Sequence, residues 1–272
     1  MFVLRTICHN ANTIAGEPKL KRTDFVQSLE RGLAVIRAFD EQHQSLRLSE
    51  VAERTNLPRA AARRFLLTLI ELGYVRLEDG RFSLRPRVLD LGYAYLAGLS
   101  FTDVARPPME QLVRDLRESS SISVLDDTEI VYVVRVPTRR IMTITLAVGA
   151  RLPAYATSMG RVLLAQLPPD ELERRLQRIE PQPLTSRTVP DREALRREIE
   201  KAAAQGFAMV DQELEDGLRS AAVPLRDGSG EVAALNISVH ASRASMATLR
   251  DRFLPRVLET AGAIEADLKD LR

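Results

Sequence analysis

Cysteine, histidine and tryptophan are scarce or missing in this sequence. The 272 residues include one cysteine, three histidines and no tryptophan. A single Cys8 cannot close an intramolecular disulfide, so nothing in the chain requires an oxidising compartment. With only His9, His43 and His240 as imidazole donors, a zinc site would consist mainly of carboxylates. We therefore expect no metal and no other cofactor.

Long apolar runs are missing as well. No stretch approaches the roughly 20 apolar residues that cross a bilayer. The opening "MFVLRTICHNANTIAG" has too short an apolar run for a signal peptide and lacks a small-residue cleavage site. The composition, 45% hydrophobic and 28% charged, is that of a globular protein, and the length suffices for two domains. We expect a soluble cytoplasmic protein with no membrane partner.

The common sequence signatures of catalysis are also absent. There is no G-x-S-x-G nucleophile elbow, no G-x-x-x-x-G-K phosphate loop and no H-E-x-x-H motif. A pocket with Ser158 or Asp211 could in principle be catalytic, but no second feature supports an enzyme. We predict that the protein is not one.

Basic residues are concentrated in one segment of an otherwise balanced chain. The formal net charge is only +2, yet the segment between Glu53 and Glu71 holds four arginines and no acid. Most of them lie in "PRAAARRFLLTLIELGYV", whose periodicity predicts a helix from Pro58 to Leu72. Proline suits the first turn of such a helix, and Gly73 suits its C-terminal stop.

The elements around this helix predict a winged helix-turn-helix. A helix from Phe25 precedes a short helix, which we expect to begin after Ser49 and to stop before Pro58. Two strands follow, Tyr74–Leu77 and Arg81–Leu84, joined by an Asp-Gly turn. In this motif one helix enters the major groove of DNA.

The predicted DNA-contact surface is the front of the arginine-rich helix. Its arginines would reach phosphates or guanine edges, and the alanines at 60–62 would keep the surface low enough for the backbone to approach the groove. The alternative is that the arginines form a solvated face that binds nothing. The predicted contact residues are Arg54, Pro58, Arg59, Ala60, Ala61, Arg63, Arg64 and Arg81.

The rest of the chain predicts a connecting helix and an α+β domain. An apolar helix runs to about Ala97 and breaks at Gly98, and we expect it to pack against a second copy of itself. A second helix should span Thr102 to Glu118, with the Pro107-Pro108 pair near its start. From Ser121 the pattern alternates as in strands, including "RIMTITLAVG" at 140–149. Helices follow near 158, at 169–178 and at 191–205, then three strands with a turn at 227–230, and a C-terminal helix at 245–270.

These elements divide the chain into four predicted parts. Residues 1–23 form a flexible arm, which is either a solvated tail or an additional DNA contact. Residues 24–85 form the winged helix-turn-helix, 86–100 the linker helix, and 101–272 the second domain.

Several segments together resemble the IclR family of bacterial transcriptional regulators. They are "SLERGLAVIRAF", "LSEVAERTNLPRAAARRFLLTLIELGYV", "GRFSLRPRVLDLG", "ATSMGRVLLA", "GLRSAAVPL" and "ALNISV". The resemblance covers residues 25 to 270. Within the family, the chain is similar to the branch that regulates protocatechuate and 4-hydroxybenzoate breakdown through the β-ketoadipate pathway.

The resemblance implies that the second domain is GAF-like and binds a small effector. The residues themselves suggest a pocket, because a helix near Ser158 offers backbone N–H groups to a carboxylate and Gly160 permits close approach. Alternation in "LNISVH" puts Asn236, Ser238 and His240 on one face, where they either meet the effector or merely face water. The predicted effector residues are Tyr155, Ser158, Met159, Gly160, Asp211, Ser220, Asn236, Ser238 and His240.

A run of arginines could neutralise an acidic effector. Arg135, Arg139 and Arg140 lie near the end of a predicted strand, where such residues are otherwise solvated. His43 fits best as a loop residue, and His240 suits a rim or an interface as well as a ligand contact.

We therefore expect a DNA-binding regulator that responds to protocatechuate, 4-hydroxybenzoate or β-ketoadipate. Its partners would be operator DNA, the acid and a second copy of the chain, because one helix reads only a few base pairs. The resemblance further implies tetramers made of two dimers. The alternatives are a regulator of another small-carboxylate pathway and a winged-helix protein-interaction module.

Overall fold

The structure is a computed structural model that describes residues 24–40, 42–99, 101–138, 146–226, 230 and 232–270. The chain divides into two compact units, one spanning Gly16–Gly98 and the other including Leu99–Arg272. Some predicted features lie outside the described residues: the arm at 1–23, Arg139 and Arg140, most of the strand at 140–149, and 227–229 of the last turn.

The first unit is a winged helix-turn-helix, as predicted. Its elements are α1 (Gln27–Arg37), β1 (Ser45–Leu46), α2 (Leu48–Arg54), α3 (Arg59–Glu71), β2 (Val75–Glu78) and β3 (Arg81–Leu84). The strands form an antiparallel sheet in the order β1-β3-β2. Strand β1 was not predicted, because two residues are too short for a periodic signal. The core is apolar and includes Val35, Val51, Leu66 and Phe82.

Glycines mark both ends of the segment that follows α3. Gly73 has a positive φ of 80°, its N–H donates to the carbonyl of Ile70, and the N–H of Tyr74 donates to the carbonyl of Leu69. This pair of hydrogen bonds is typical of a helix that ends at a glycine with positive φ. Asp79 and Gly80 both have positive φ, as a two-residue type I′ hairpin turn requires. The predicted helix stop and hairpin turn are confirmed.

The predicted start of α2 is wrong. Ser49 lies inside the helix, which begins at Leu48. The N–H of Arg47 donates to the Glu50 carboxylate at 2.6 Å, so this acid, and not a serine hydroxyl, satisfies the backbone there. The helix therefore begins earlier than the serine suggests.

The connecting segment is a 3-10 turn (Pro86–Leu89) followed by α4 (Asp90–Gly98). Helix α4 ends at Gly98, where a break was predicted. Helix α5 (Phe101–Leu116) begins the second unit. Pro107 and Pro108 lie in the middle of α5, not near its start as predicted. Ala105 and Met109, on either side of the prolines, are fully buried. Their packing against the rest of the unit stabilises the helix where the prolines interrupt its backbone hydrogen bonds.

The second unit has a six-stranded antiparallel sheet in the order β6-β5-β4-β9-β8-β7. Its strands are β4 (Ser119–Asp126), β5 (Glu129–Val136), β6 (Arg151–Pro153), β7 (Ala208–Asp211), β8 (Leu218–Arg226) and β9 (Val232–His240). Its further helices are α6 (Ser158–Leu164), α7 (Pro169–Arg178), α8 (Arg192–Gln205), α9 (Met246–Thr248) and α10 (Leu254–Asp270), with a π-helical turn at Leu249–Phe253. The predicted α+β class is confirmed.

Strand register decides which residues face α6. Ser121 pairs with Asn236, Ser119 with Ser238, and Ser220 with Ser238, so these polar residues share one face of the sheet. Helix α6 packs on that face, and α5 and α10 also pack against the sheet. Asp191 caps α8 by accepting from the Ala194 N–H, as predicted. The sheet therefore presents a polar surface to the helix that was expected to begin at the effector site.

Candidate DNA-contact surface and effector cavity

The outer face of α3 carries three arginines. Arg59, Arg63 and Arg64 are exposed, as is Ala60 beside them. Within the part of the chain that the structure describes, no acid or hydrogen-bond acceptor engages their guanidinium groups. Pro58, also exposed, precedes the first turn as its N-cap residue. The helix therefore presents free positive charge on a low surface.

The inner face of α3 holds the helix to the unit. Leu66 and Ala62 are fully buried and Leu69 nearly so. Ala62 was predicted to lie on the low outer surface with Ala60 and Ala61, and this is wrong, because it points into the core. Ala61 is half-buried. The exposed arginines and the buried leucines are thus on opposite sides of one helix.

Two other predicted DNA contacts are engaged inside the unit. The Nε of Arg54 donates to the carbonyl of Ala38 at 2.9 Å, and its guanidinium also pairs with Asp40. Arg81 donates to the carbonyl of Ser45 at 2.9 Å and lies 3.7 Å from the Glu50 carboxylate. Both arginines tie elements of the winged helix-turn-helix together.

The second unit contains a small neutral cavity between α6 and the sheet. Ser158, Met159, Ser220, Asn236 and Ser238, all predicted effector residues, line it together. Its volume is about 20 Å³, room for roughly a single water molecule. An aromatic acid needs far more space, since ligand pockets measure about 300–1,000 Å³. This conformation is therefore closed.

Hydrogen bonds cross and line the closed cavity. The Ser158 hydroxyl donates to that of Ser220 at 2.8 Å, which joins α6 to β8. The Asn236 amide donates to Ser238, and its oxygen accepts from the Ser121 N–H at 3.0 Å. These polar groups satisfy one another, so a ligand must exchange its own hydrogen bonds for them.

The start of α6 differs from the expected anion site. Thr157 caps the helix and accepts the N–H of Gly160 at 3.0 Å. A Cβ at Gly160 would lie 2.2 Å from the carbonyl oxygen of Ala154. The glycine therefore permits close approach of the helix to its own preceding turn. Gly160 does not line the cavity, and its predicted contact with a carboxylate stays a prediction.

Besides Gly160, three further predicted effector residues do not line the cavity. The Tyr155 hydroxyl hydrogen-bonds to the backbone of Gln182, and His240 lies at the end of β9 against Gly217 and Ser242. Asp211 accepts from Arg219 at 2.6 Å and from Arg187 at 3.0 Å. Burial alone would raise the pKa of Asp211, but the hydrogen bond from Arg219 and the charges of both arginines hold that pKa below its usual value.

Asp211 lies on β7, beside a residue that does line the cavity. In β7 it is Val210, paired with Ser220, that faces the cavity, and the next residue must point to the other side of the sheet. Asp211 therefore lies away from the cavity, paired with Arg219.

The cavity also includes residues outside the predicted effector set. They are Tyr132, Ala156, Thr157, Val210, Leu214 and Leu218. Burial raises the pKa of the Tyr132 phenol, so Tyr132 is a neutral hydroxyl in the cavity wall. Simple alternation along "EIVYVVRVP" does not predict on which side of the sheet Tyr132 lies, because a bulge next to Ser123 shifts the register between β4 and β5.

A buried ion pair fixes the loop beside the cavity. Arg161 is 1% exposed, and its guanidinium lies 2.5 Å from the carboxylate of Glu213 and 3.8 Å from that of Glu198. Its Nε donates to the carbonyl of Tyr155. Leu214, next to Glu213, lines the cavity. No sequence motif marks this pair, because its members lie 52 residues apart.

Neither a metal cluster nor a membrane span occurs among the described residues. No group of three His, Cys, Asp or Glu side chains there could hold a metal ion. No helix in the same ranges is long and apolar enough to cross a bilayer.

Two family models match the chain. One, described as the IclR helix-turn-helix domain, matches residues 28–79. The other, described as the bacterial transcriptional regulator IclR C-terminal domain, matches residues 93–266. Together they cover both units, and the second alone matches more than half of the chain.

Individual relatives agree with these matches. The chain is 46% identical over 237 residues, 86% of its length and 81% of the other's, to the Pca regulon regulatory protein of Pseudomonas putida. A solved transcriptional regulator from Rhodococcus sp. RHA1 has a TM-score of 0.80 and 54% identity, covering 91% of this chain and 100% of that one. A homologue from Microbacterium hydrocarbonoxydans, solved with 4-hydroxybenzoate, has a TM-score of 0.79 and 26% identity, covering 89% and 99%.

Proposed function

The chain belongs to the IclR family of bacterial transcriptional regulators, and from this membership we propose that it controls aromatic-acid catabolism by sensing a small aromatic or keto acid. The Pca regulon relative supports the pathway, and the homologue solved with 4-hydroxybenzoate supports the effector class. The relatives are regulators, and this chain is not an enzyme. Its place of action would be the cytoplasm, where the operator lies.

The observation that carries DNA binding is the unpartnered charge on α3. Arg59, Arg63 and Arg64 would meet phosphates or guanine edges, with Pro58, Ala60 and Ala61 allowing close approach. An arginine already paired with an acid gains less from a phosphate, because the existing pair must first be broken. On this ground Arg54 and Arg81 orient the wing and α2 within the unit.

The effector would occupy an opened form of the cavity. Ser158, Met159, Ser220, Asn236 and Ser238 offer hydroxyl, amide and thioether groups to it. Opening requires the Ser158–Ser220 hydrogen bond to break or Leu214 and Leu218 to move outward. Binding thus favours a second arrangement of the domain, and it can shift DNA binding only by its differential affinity for the two arrangements.

A homodimer would present two copies of α3 to the operator. The first unit exposes large apolar side chains on α1 and the connecting segment, with Leu29 62% exposed, Leu89 71% and Tyr93 70%. Burying such a surface against a second copy is favourable. Pairing of dimers into a tetramer remains an extension of the family resemblance.

Two other functions predict different outcomes. A regulator of another small-carboxylate pathway would bind DNA but ignore aromatic and β-keto acids. A winged-helix protein-interaction module would keep the fold without using the arginines of α3 for DNA.

Charge reversal separates the regulator from the interaction module. Fluorescence anisotropy would follow labelled DNA from upstream of the protein's own gene, at several salt concentrations. We expect Arg63→Glu/Arg64→Glu to weaken binding by about a hundredfold or more, since each lost contact costs about 1–3 kcal/mol and reversal adds repulsion. Arg174→Glu, on the exposed face of α7, is the control and should bind nearly as the wild type does. Equal binding by all three proteins would contradict the assignment.

A further inference from the structure

Arg135 lies on the face of the sheet that lines the effector cavity. In the register of β4, Ser121 pairs with Arg135 on one side and with Asn236 on the other. Arg135 is partly buried, and its Nη1 lies 3.5 Å from the Ser121 hydroxyl oxygen. Its side chain therefore reaches from β5 over the neighbouring strand towards Asn236.

This arginine has no acid partner within the described ranges. Other arginines of the second unit with limited exposure do have one: Arg161 pairs with Glu213, Arg178 with Asp127, and Arg219 with Asp211. Burial lowers the pKa of Arg135, but a guanidinium stays charged at any physiological pH. A partly buried charge without a counter-charge is unfavourable, which makes the position favourable for an anion.

The free charge lies close to the cavity. Asn236 lines the cavity and accepts the N–H of Ser121, and the Arg135 guanidinium lies beside the hydroxyl of that same serine. Because adjacent strands are about 4.8 Å apart, a guanidinium over Ser121 is about one strand from the cavity wall at Asn236. A small ligand can span that distance with its acidic group.

We propose that Arg135 binds the carboxylate of the effector, and that the hydroxyl or keto end of the same ligand faces Ser158 and Ser220. The inference rests on the proposed function, because it assumes an organic acid in this cavity. Planar guanidinium and carboxylate groups form paired, charge-assisted hydrogen bonds. The side chains that line the cavity are all neutral, so they suit the uncharged end of the ligand.

The test pairs a charge removed from the protein with a charge removed from the ligand. Calorimetry on the full-length protein would compare 4-hydroxybenzoate with 4-hydroxybenzamide, and protocatechuate with 3,4-dihydroxybenzamide. We expect the wild type to prefer each acid by about ten- to a hundredfold, the range for a hydrogen bond to a charged group. Arg135→Gln should bind acid and amide about equally, with unchanged affinity for the amide, and Arg135→Lys should retain part of the preference.

β-Ketoadipate, if it is the acid that binds, should lose affinity for Arg135→Gln by the same factor. Arg174→Gln is the matched control, because it removes one exposed arginine of the same unit and should leave every preference intact. An unaltered preference for acid over amide in Arg135→Gln would overturn the inference while the proposed effector class stands. Failure of the folded wild type to bind any of these acids would instead contradict the proposed function, and the inference with it.

Discussion

Helices α3 and α6 were both predicted to begin at a binding site, yet they use their residues in different ways. On α3, Arg59, Arg63 and Arg64 are exposed and have no ion-pair partner among the described residues, while the opposite side of the helix is buried. All seven residues of α6 are buried, and its arginine pairs with two acids. The small residue of α6, Gly160, lies against the backbone of Ala154 inside the protein. The small residue of α3, Ala60, is exposed to solvent.

The difference shows that burial decides whether an arginine is available to a binding partner or stabilises the fold. An exposed arginine keeps its charge available to a partner, while a buried one must be paired inside the protein. Substitutions on α6 should therefore act first on stability, and substitutions on the outer face of α3 should act on DNA binding alone.

The largest effect is expected for Gly160→Ala. Its Cβ would lie 2.2 Å from a backbone oxygen, which cannot move aside as a flexible side chain can. We expect a loss of about 4 kcal/mol or more in the free energy of unfolding, or failure to fold. Gly262→Ala, exposed on α10 with nothing within 4 Å of the new Cβ, is the control. It should be neutral or stabilising by about 0.5–1 kcal/mol. Wild-type stability of Gly160→Ala in urea denaturation would refute the close approach.

A smaller loss of stability is expected for Arg161→Met, because this change leaves the buried Glu213 carboxylate without its arginine partner. Removing one member of a buried pair costs about 3 kcal/mol, measured as a lower unfolding midpoint in urea. Arg161→Met/Glu213→Gln should recover part of the loss, because no unpaired charge remains. If the double variant were less stable than the single one, the loss would have another cause.

The smallest effects are expected for single arginine substitutions in the first unit, where the exposed Arg63 is compared with the paired Arg54. Arg63→Ala should weaken DNA binding and reduce the slope of log affinity against log salt by about one if Arg63 meets a phosphate. Arg54→Ala should leave that slope nearly unchanged and lower thermal stability, because Arg54 already bonds to Ala38 and Asp40. Equal slopes for Arg63→Ala and wild type, with a reduced slope for Arg54→Ala, would reverse the assignment.

Local signals in the sequence account for most of the fold. The helix stop at Gly73, the hairpin turn at Asp79-Gly80 and the cap at Asp191 depend on a few neighbouring residues, and all three are confirmed. The order of elements then sufficed to predict the winged helix-turn-helix and the α+β domain.

The cavity was only partly predictable. Asn236 and Ser238 follow from strand alternation, but a β-bulge obscures the side on which Tyr132 lies. Asp211 follows Val210 in β7 and so points away from the cavity that Val210 lines. The Arg161–Glu213 pair joins distant segments, so no local pattern reveals it. Tertiary register and long-range pairing are the parts that sequence reasoning missed.

The central claim is that effector binding to the second unit and DNA binding to the first unit are thermodynamically coupled, and one measurement tests it most directly. The affinity for DNA from upstream of the protein's own gene would be measured by anisotropy at fixed salt, without ligand and with saturating 4-hydroxybenzoate, protocatechuate or β-ketoadipate. The account predicts that one acid changes this affinity by about 5- to 150-fold, and that DNA changes the affinity for that acid by the same factor. Tight DNA binding that none of these acids alters would contradict it.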